Sequence, residues 1–145
     1  WLTGLLGLQI PRPSGPQESV RSFGPSDKTI TQDGVWAENS GWKIESRQRR
    51  TVRLFEMDQP GLEQCLITYR LQMKTKDVQK GVYLEMWCLF SIGEYFSKGF
   101  HQKAKGTNEW ASYQIPFYLK KGQKPAKVKL NLVFEGPRTR SPWIY

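Results

Sequence analysis

The side chains that could perform catalysis are few and scattered. His101 is the only histidine, and it occurs in a stretch rich in Gly and Lys that is typical of a surface loop. Cys65 and Cys88 lie inside apolar runs, where they are expected as free buried thiols. The alternative is a disulfide between them, which requires that their strands are neighbours. No phosphate-binding loop, dinucleotide fingerprint or nucleophile elbow is present. We therefore predict that the chain is not an enzyme.

Carboxylates offer the remaining route to chemistry. Glycosidases use a pair of them across the scissile bond, but no such pair can be named from this sequence, and Glu85 is the best single candidate. Glu56, Asp58 and Glu63 cluster around a predicted turn and could ligate calcium through oxygen. The spacing of a calcium loop is absent, so we predict no cofactor, and a structural calcium ion at these three residues is the alternative.

A mixed aromatic and polar face is the most informative pattern. Tyr83, Glu85 and Trp87 share one side of a predicted strand, whereas the core residues share the other. Aromatic rings can stack on the C–H faces of sugars, and planar polar side chains can bond their hydroxyls. If the later strands are neighbours, the ligand-binding residues are Arg70, Tyr83, Glu85, Trp87, Gln114 and Asn131. The alternative is that Tyr83 and Trp87 are covered by another part of the chain, as central aromatic residues of sandwiches often are.

Strict alternation of apolar and polar residues indicates the elements that hold this face. Residues 64–75, 82–90 and 126–135 each place every second residue on an apolar face, which is typical of half-buried antiparallel strands. Residues 77–81 read as a turn between the first two. Pro116 interrupts a strand at residues 110–119 and favours a sheet edge or a bulge. Short strands separated by Gly/Pro turns predict an all-β fold, an antiparallel β-sandwich.

The N-terminal region differs in composition from the rest. Residues 1–10 are apolar but shorter than the roughly 20 residues of a transmembrane helix. They could be the end of a membrane or signal segment, or an apolar stub. Residues 11–25 are rich in Pro, Gly and Ser, as linkers are. We predict a stub and linker over residues 1–28 and a sandwich domain over residues 29–145, with a truncated last strand.

The positive charge is concentrated in the C-terminal part. The chain carries a formal net charge of +9, and residues 96–145 alone hold 10 Lys/Arg and 2 Asp/Glu, a net of +8. A basic half raises nucleic acid, anionic lipid or acidic polysaccharide as partners. The alternative is a solvated lysine-rich surface that keeps the protein soluble.

Several short motifs together suggest a family. YLEMWC at residues 83–88 is followed by EYFS at 94–97, LKKGQKP at 119–125 and KLNL at 129–132. Gly106-Thr107 precedes Trp110, and Trp143-Ile144 comes last. This series resembles bacterial galactose-binding-like jelly-roll domains, which are similar to the carbohydrate-binding modules of secreted glycoside hydrolases. The resemblance covers residues 41–145, although residues 137–142 are longer and more basic than the usual turn.

The resemblance implies a jelly roll that binds a ligand without catalysis. Our first hypothesis is therefore a carbohydrate-binding module, with a polysaccharide or glycan as partner, displayed outside a bacterial cell or tethered to its membrane through a missing N-terminal anchor. The alternative is a structural or protein-interaction module that docks on flanking domains of the same chain. Nucleic acid is not the expected partner.

Overall fold

A computed structural model of the chain describes residues 19–38, 41–46, 48–135 and 143–144. The described residues form antiparallel strands and one short 3₁₀ helix at Phe100–Gln102. In chain order the strands are β1 (Val35–Glu38), β2 (Gly41–Ile44), β3 (Arg50–Asp58), β4 (Cys65–Phe90), β5 (Gly93–Lys98), β6 (Ala104–Leu119), β7 (Lys127–Glu135) and β8 (Trp143–Ile144). The predicted all-β sandwich is confirmed.

β4 is a single strand of 26 residues, and its two ends belong to different layers of the sandwich. Residues 65–82 pair with β6, with register shifts after Met73, and residues 73–74 also pair with β8. Residues 81–89 pair with β7, and residues 85–90 pair with β5 on the other side. All eight strands are hydrogen-bonded into one continuous sheet through β4. The N-terminal part of β4 belongs to a layer with the order β1-β2-β8-β4-β6, which we call the first sheet, and its C-terminal part belongs to a layer with the order β3-β7-β4-β5, which we call the second sheet. The predicted turn at residues 77–81 is wrong, since the strand continues through it. Asp77 (φ 55°) and Gly81 (φ 136°) instead bend β4 from one sheet into the other.

The core lies between the two sheets and consists of the apolar faces that the alternation predicts. In β4, both the face that includes Tyr69 and the face that includes Leu84 are buried, as is the face of β7 that includes Phe134. Cys88 is fully buried, which raises the pKa of its thiol to about 12. Cys65 is half-buried, and both thiols are free, as expected. No disulfide therefore joins the two cysteines.

The predicted domain boundary near Thr29 stays a prediction. Before it, the ring of Phe23 stacks on Phe55 with centroids 4.0 Å apart and planes 7° apart. Packing against the sandwich thus begins before the predicted boundary. The apolar stub, most of the linker and the basic turn at residues 137–142 lie outside the described residues.

β6 ends the first sheet, because in the described part of the chain it pairs with β4 alone. Pro116 lies in this edge strand, opposite Thr68 of β4. Proline has no N–H to donate, so it is tolerated at an edge. The prediction of an edge position for Pro116 is confirmed.

Candidate ligand-binding face

Four polar side chains lie side by side across the outer face of the second sheet. Arg53 of β3, Asn131 of β7, Glu85 of β4 and Lys98 of β5 occupy successive register positions. Directly opposed residues on one face of a sheet are about 5 Å apart at Cβ, so the register alone brings these groups into contact. We call this line of four residues the polar row.

Asn131 connects the cationic and anionic parts of the polar row. Its amide nitrogen donates to Oε1 of Glu85 at 2.9 Å, and its Oδ1 accepts from Nε of Arg53 at 3.4 Å. Arg has only donors and an ionised carboxylate has only acceptors, so these two neighbours fix which way the amide points. Nζ of Lys98 lies 3.5 Å from Oε2 of Glu85 at the other end. The row is therefore held in one orientation.

A β-bulge places Glu56 on the same face as Arg53. The register of β3 against β7 shifts between Arg53 and Phe55, so that Leu54 and Phe55 are both buried. As a result Arg53 and Glu56 share the outer face, and their charged groups lie 3.4 Å apart. Bulges commonly re-aim a side chain in this way.

Glu85 is an internal carboxylate. It is only 6% exposed, and its Oε1 accepts a second hydrogen bond, from Nε1 of Trp87 at 2.9 Å. A buried charge is tolerated when it is paired and hydrogen-bonded, and here Trp87, Asn131 and Lys98 supply the donors. Glu85 thus orients the indole ring of Trp87 and has little capacity left for a ligand.

Exposed aromatic rings flank the polar row. Phe96 of β5 lies opposite Trp87 of β4, with ring centroids 5.0 Å apart and planes tilted by 50°. Phe96 is 52% exposed and Phe100 is 50% exposed, and Nζ of Lys98 lies over the Phe96 ring, 4.7 Å from its centroid. We call Trp87, Phe96 and Phe100 the aromatic patch. It presents apolar ring surface to solvent beside fixed polar groups.

Tyr83 lies beneath this patch. Its ring is buried and packs against Phe100 at a centroid distance of 4.9 Å, while Nζ of Lys103 lies 5.8 Å away. Burial raises the pKa of Tyr83, and the negative charges of Glu85 and Glu135 raise it further. Another part of the chain therefore covers Tyr83, as the alternative interpretation of this face expected, whereas Trp87 is half-exposed.

Arg70 and Gln114 lie elsewhere, on the outer face of the first sheet. They are register partners on β4 and β6, and Nε of Arg70 donates to Oε1 of Gln114 at 2.9 Å. The backbone N–H of Gln114 donates to Oε1 of Gln102, which follows Phe100 in the 3₁₀ helix. The structure thus gathers Tyr83, Glu85, Trp87 and Asn131 on one face, and Arg70 and Gln114 form a separate pair. Ligand binding at all six residues stays a prediction.

The sequence analysis missed Arg53, Lys98, Phe96 and Phe100. A signal for two of them exists, because Glu94, Phe96 and Lys98 alternate along a short strand. Arg53 alternates with the buried Val52 and Leu54, but only the register of β3 with β7 places it beside Asn131.

The three carboxylates considered for calcium contact lysines. Nζ of Lys127 lies 3.3 Å from Glu56 and 3.4 Å from Asp58, and hydrogen bonds to these two carboxylates raise its pKa. Glu63 instead lies 3.6 Å from Nζ of Lys124. In the described part of the chain, no three His, Cys, Asp or Glu side chains are grouped to hold a metal ion. The described part likewise contains no helix with the length and hydrophobicity of a transmembrane span.

Comparisons with known proteins found matches among solved structures alone. No protein-family model matches the chain, and no curated protein matches it. Among solved structures, one described as "Family 16 Carbohydrate Binding Module-2" aligns with a TM-score of 0.43 and 12% sequence identity, over 79% of this chain and 78% of that chain. This alignment is a likeness to a carbohydrate-binding module, and it assigns no ligand to this chain. What this chain binds has to be argued from its own side chains.

Proposed function

We propose that this protein is a non-catalytic carbohydrate-binding module whose ligand lies on the outer face of the second sheet. The aromatic patch would stack on the apolar C–H face of a sugar ring. Arg53 and Lys98, at the two ends of the polar row, would bond hydroxyl or acidic groups at the rim of the ring. Binding needs no acid–base pair.

The observation that carries this proposal is the combination of exposed rings with polar groups that are already fixed. Ligand sites typically combine apolar surface with a few convergent polar groups. The Trp87 indole is held by Glu85, and Glu85 is held by Asn131 and Lys98. Because these groups are ordered before the ligand arrives, little entropy is lost on binding.

Isothermal titration calorimetry against a panel of soluble polysaccharides tests the proposal. We expect at least one glycan to bind, and Phe96→Ala and Trp87→Ala to weaken it about tenfold or more, which is a loss of roughly 1.4 kcal/mol each. The matched control is Trp36→Ala, because Trp36 is 51% exposed but lies in β1 of the first sheet. Trp36→Ala should bind as the wild type does.

Two results would contradict the proposal. If no glycan in the panel binds, the function is wrong. If a glycan binds but Trp36→Ala weakens it and Phe96→Ala does not, the site is wrong.

A second candidate function is a protein-interaction module, and the burial of Tyr83 favours it. Phe100 and Lys103 of the same chain already cover this ring, so the face is partly docked on its own chain. Exposed aromatic patches also occur at protein interfaces. This candidate predicts that Phe96→Ala abolishes binding to a flanking domain of the full-length protein and leaves glycan titrations flat for every variant.

A further inference from the structure

The exposed apolar side chains of the protein are concentrated on the side where β5 and β6 lie. Nine large hydrophobic side chains are exposed in the described part of the chain, and five of them are Ile92, Tyr95, Phe96, Phe100 and Tyr118. The last three of these line one groove between β5 and β6, so the group is contiguous. Single exposed hydrophobic residues are ordinary, but a contiguous group marks a contact surface for a protein or a membrane.

Ile92 is the most exposed member of this group, at 82%. Phe90 pairs with Gly93, so Ser91 and Ile92 alone form the turn between β4 and β5. Polar residues and glycine are typical of such turns, and an isoleucine that is so exposed adds little to the core. Neither the turn nor the packing of the sandwich therefore accounts for Ile92.

The turn is the apex of an ordered hairpin. The ring of Phe90 lies 5.8 Å from that of Tyr95 and 6.4 Å from that of Phe117 in β6, so the hairpin is anchored on both sides. Tyr95 is itself 47% exposed. We call Ile92 and Tyr95 the hairpin tip. The tip is convex, whereas small-molecule sites are concave, so the partner that it fits is a broad surface.

A loop rich in lysine lies at the same end of the sandwich. Residues 120–126 join β6 to β7, and the N–H of Ala126 donates to the carbonyl of Leu89, beside the hairpin, at 2.7 Å. The loop is ordered, since the N–H of Lys120 donates to Oε1 of Gln123 and the N–H of Gln123 donates to the carbonyl of Lys120. We call residues 120–126 the lysine loop.

Two lysines of this loop carry charges that have no carboxylate partner. Nζ of Lys124 lies 3.6 Å from Glu63, whereas Lys120 and Lys121 are exposed and form no ion pair within the described part of the chain. The exposed Glu94 of β5 offsets one of these two charges. An apolar apex with a tyrosine ring below it and lysines beside it matches the layers of a membrane surface, which are hydrocarbon, head groups and anionic charge.

We propose that this end of the sandwich docks on an anionic lipid surface. Ile92 inserts beneath the head groups, Tyr95 lies at their level, and the ammonium groups of the lysine loop contact anionic lipids. A protein partner fits less well, because protein interfaces bury about 800 Å² on each side and a two-residue turn offers a small part of that area. This contact is separate from the proposed glycan site on the outer face of the second sheet.

Co-sedimentation of the chain with lipid vesicles tests this inference. The wild type should bind vesicles of mixed phosphatidylcholine and phosphatidylglycerol and bind phosphatidylcholine alone more weakly, and added salt should reduce the difference because it screens exposed charges. Ile92→Ser should weaken binding about tenfold, as expected for one buried aliphatic side chain. The matched control is Ile30→Ser, because Ile30 is 50% exposed but lies beside Leu54 of β3.

A pair of double variants tests the charges. Lys120→Ala with Lys121→Ala should weaken binding to the mixed vesicles about tenfold or more, since each lysine at an anionic surface contributes roughly fivefold. Lys76→Ala with Lys80→Ala removes the same charge at exposed positions where β4 bends, at the opposite end of the sandwich. This control should bind nearly as the wild type does, because that end is beyond the reach of screened charges.

Each other outcome would overturn the inference. If the wild type binds neither kind of vesicle, the lipid partner is wrong. Equal losses for the two isoleucine variants, or for the two lysine pairs, would show that the hairpin tip and the lysine loop are not the contact. Self-association that Ile92→Ser abolishes in analytical ultracentrifugation would assign the tip to a second copy of the chain. Glycan titrations of all these variants should match the wild type, so the proposed function stands or fails separately.

Discussion

Replacement of Glu85 is the most direct test of the polar row. Glu85→Ala removes the acceptor of Trp87 and Asn131 and the counter-charge of Lys98. We expect this variant to lose much more stability than a surface carboxylate would, and Glu85→Gln to retain most of it.

The expected size follows from how buried each donor is. Asn131 is 1% exposed, so water cannot replace the lost acceptor, and an unsatisfied buried amide costs about 1–3 kcal/mol. Trp87 and Lys98 are partly exposed and can regain water, which limits their share to about 1 kcal/mol together. Glu85→Ala should therefore cost roughly 2–4 kcal/mol of unfolding free energy. Glu85→Gln keeps one acceptor oxygen and should cost about 1 kcal/mol.

Urea unfolding followed by tryptophan fluorescence measures this difference, with the slope m unchanged between variants. Glu109→Ala is the control, because its side chain is 86% exposed and lies 3.9 Å from Lys74. Exposed ion pairs contribute about 0–1 kcal/mol, so this control should stay close to the wild type. A loss below about 0.5 kcal/mol for Glu85→Ala, or equal losses for the Ala and Gln variants, would refute the view that Glu85 holds this face together.

Three further predictions concern the core and the N-terminal segment. Cys65 should react with a thiol reagent in the native protein while Cys88 stays protected until unfolding, because burial holds the pKa of the Cys88 thiol at about 12; equal rates would contradict this. Burial also raises the pKa of Tyr69 above its ordinary value of 10.0, so the native state favours the neutral phenol. The unfolded state ionises this phenol more readily, so Tyr69 should leave the urea midpoint constant below pH 10.0 and lower it above that pH. A midpoint that rises above that pH would contradict the sign. Phe23→Ala should lower the free energy of unfolding by about 1–3 kcal/mol, because a stacked ring is lost. Val20→Ala, at an exposed position, should leave the free energy of unfolding almost unchanged. Equal unfolding midpoints for the two variants would place Phe23 outside the folded domain.

The strands could be predicted from the sequence because apolar residues alternate with other residues along most of their length. Residues such as Tyr69, Leu84 and Phe134 recur with a period of two, and that period is a local property of the chain. The course of β4 through residues 77–81 could not be predicted in the same way. Asp77 and Gly81 carry the same signal whether the chain turns back or bends into the second sheet, and only long-range pairing decides between the two.

The site was predictable only to the extent that it lies on one strand. Alternation placed Glu85 and Trp87 on the outer face, but it could not show that they bond each other, because that depends on side-chain rotamers. Phe96 and Arg53 joined them through register with β5 and β3, and register between strands far apart in sequence is fixed by the packed core. The same reasoning explains the separation of Arg70 from Glu85. Both point outward from β4, but the bend between them places each on the outer face of a different sheet.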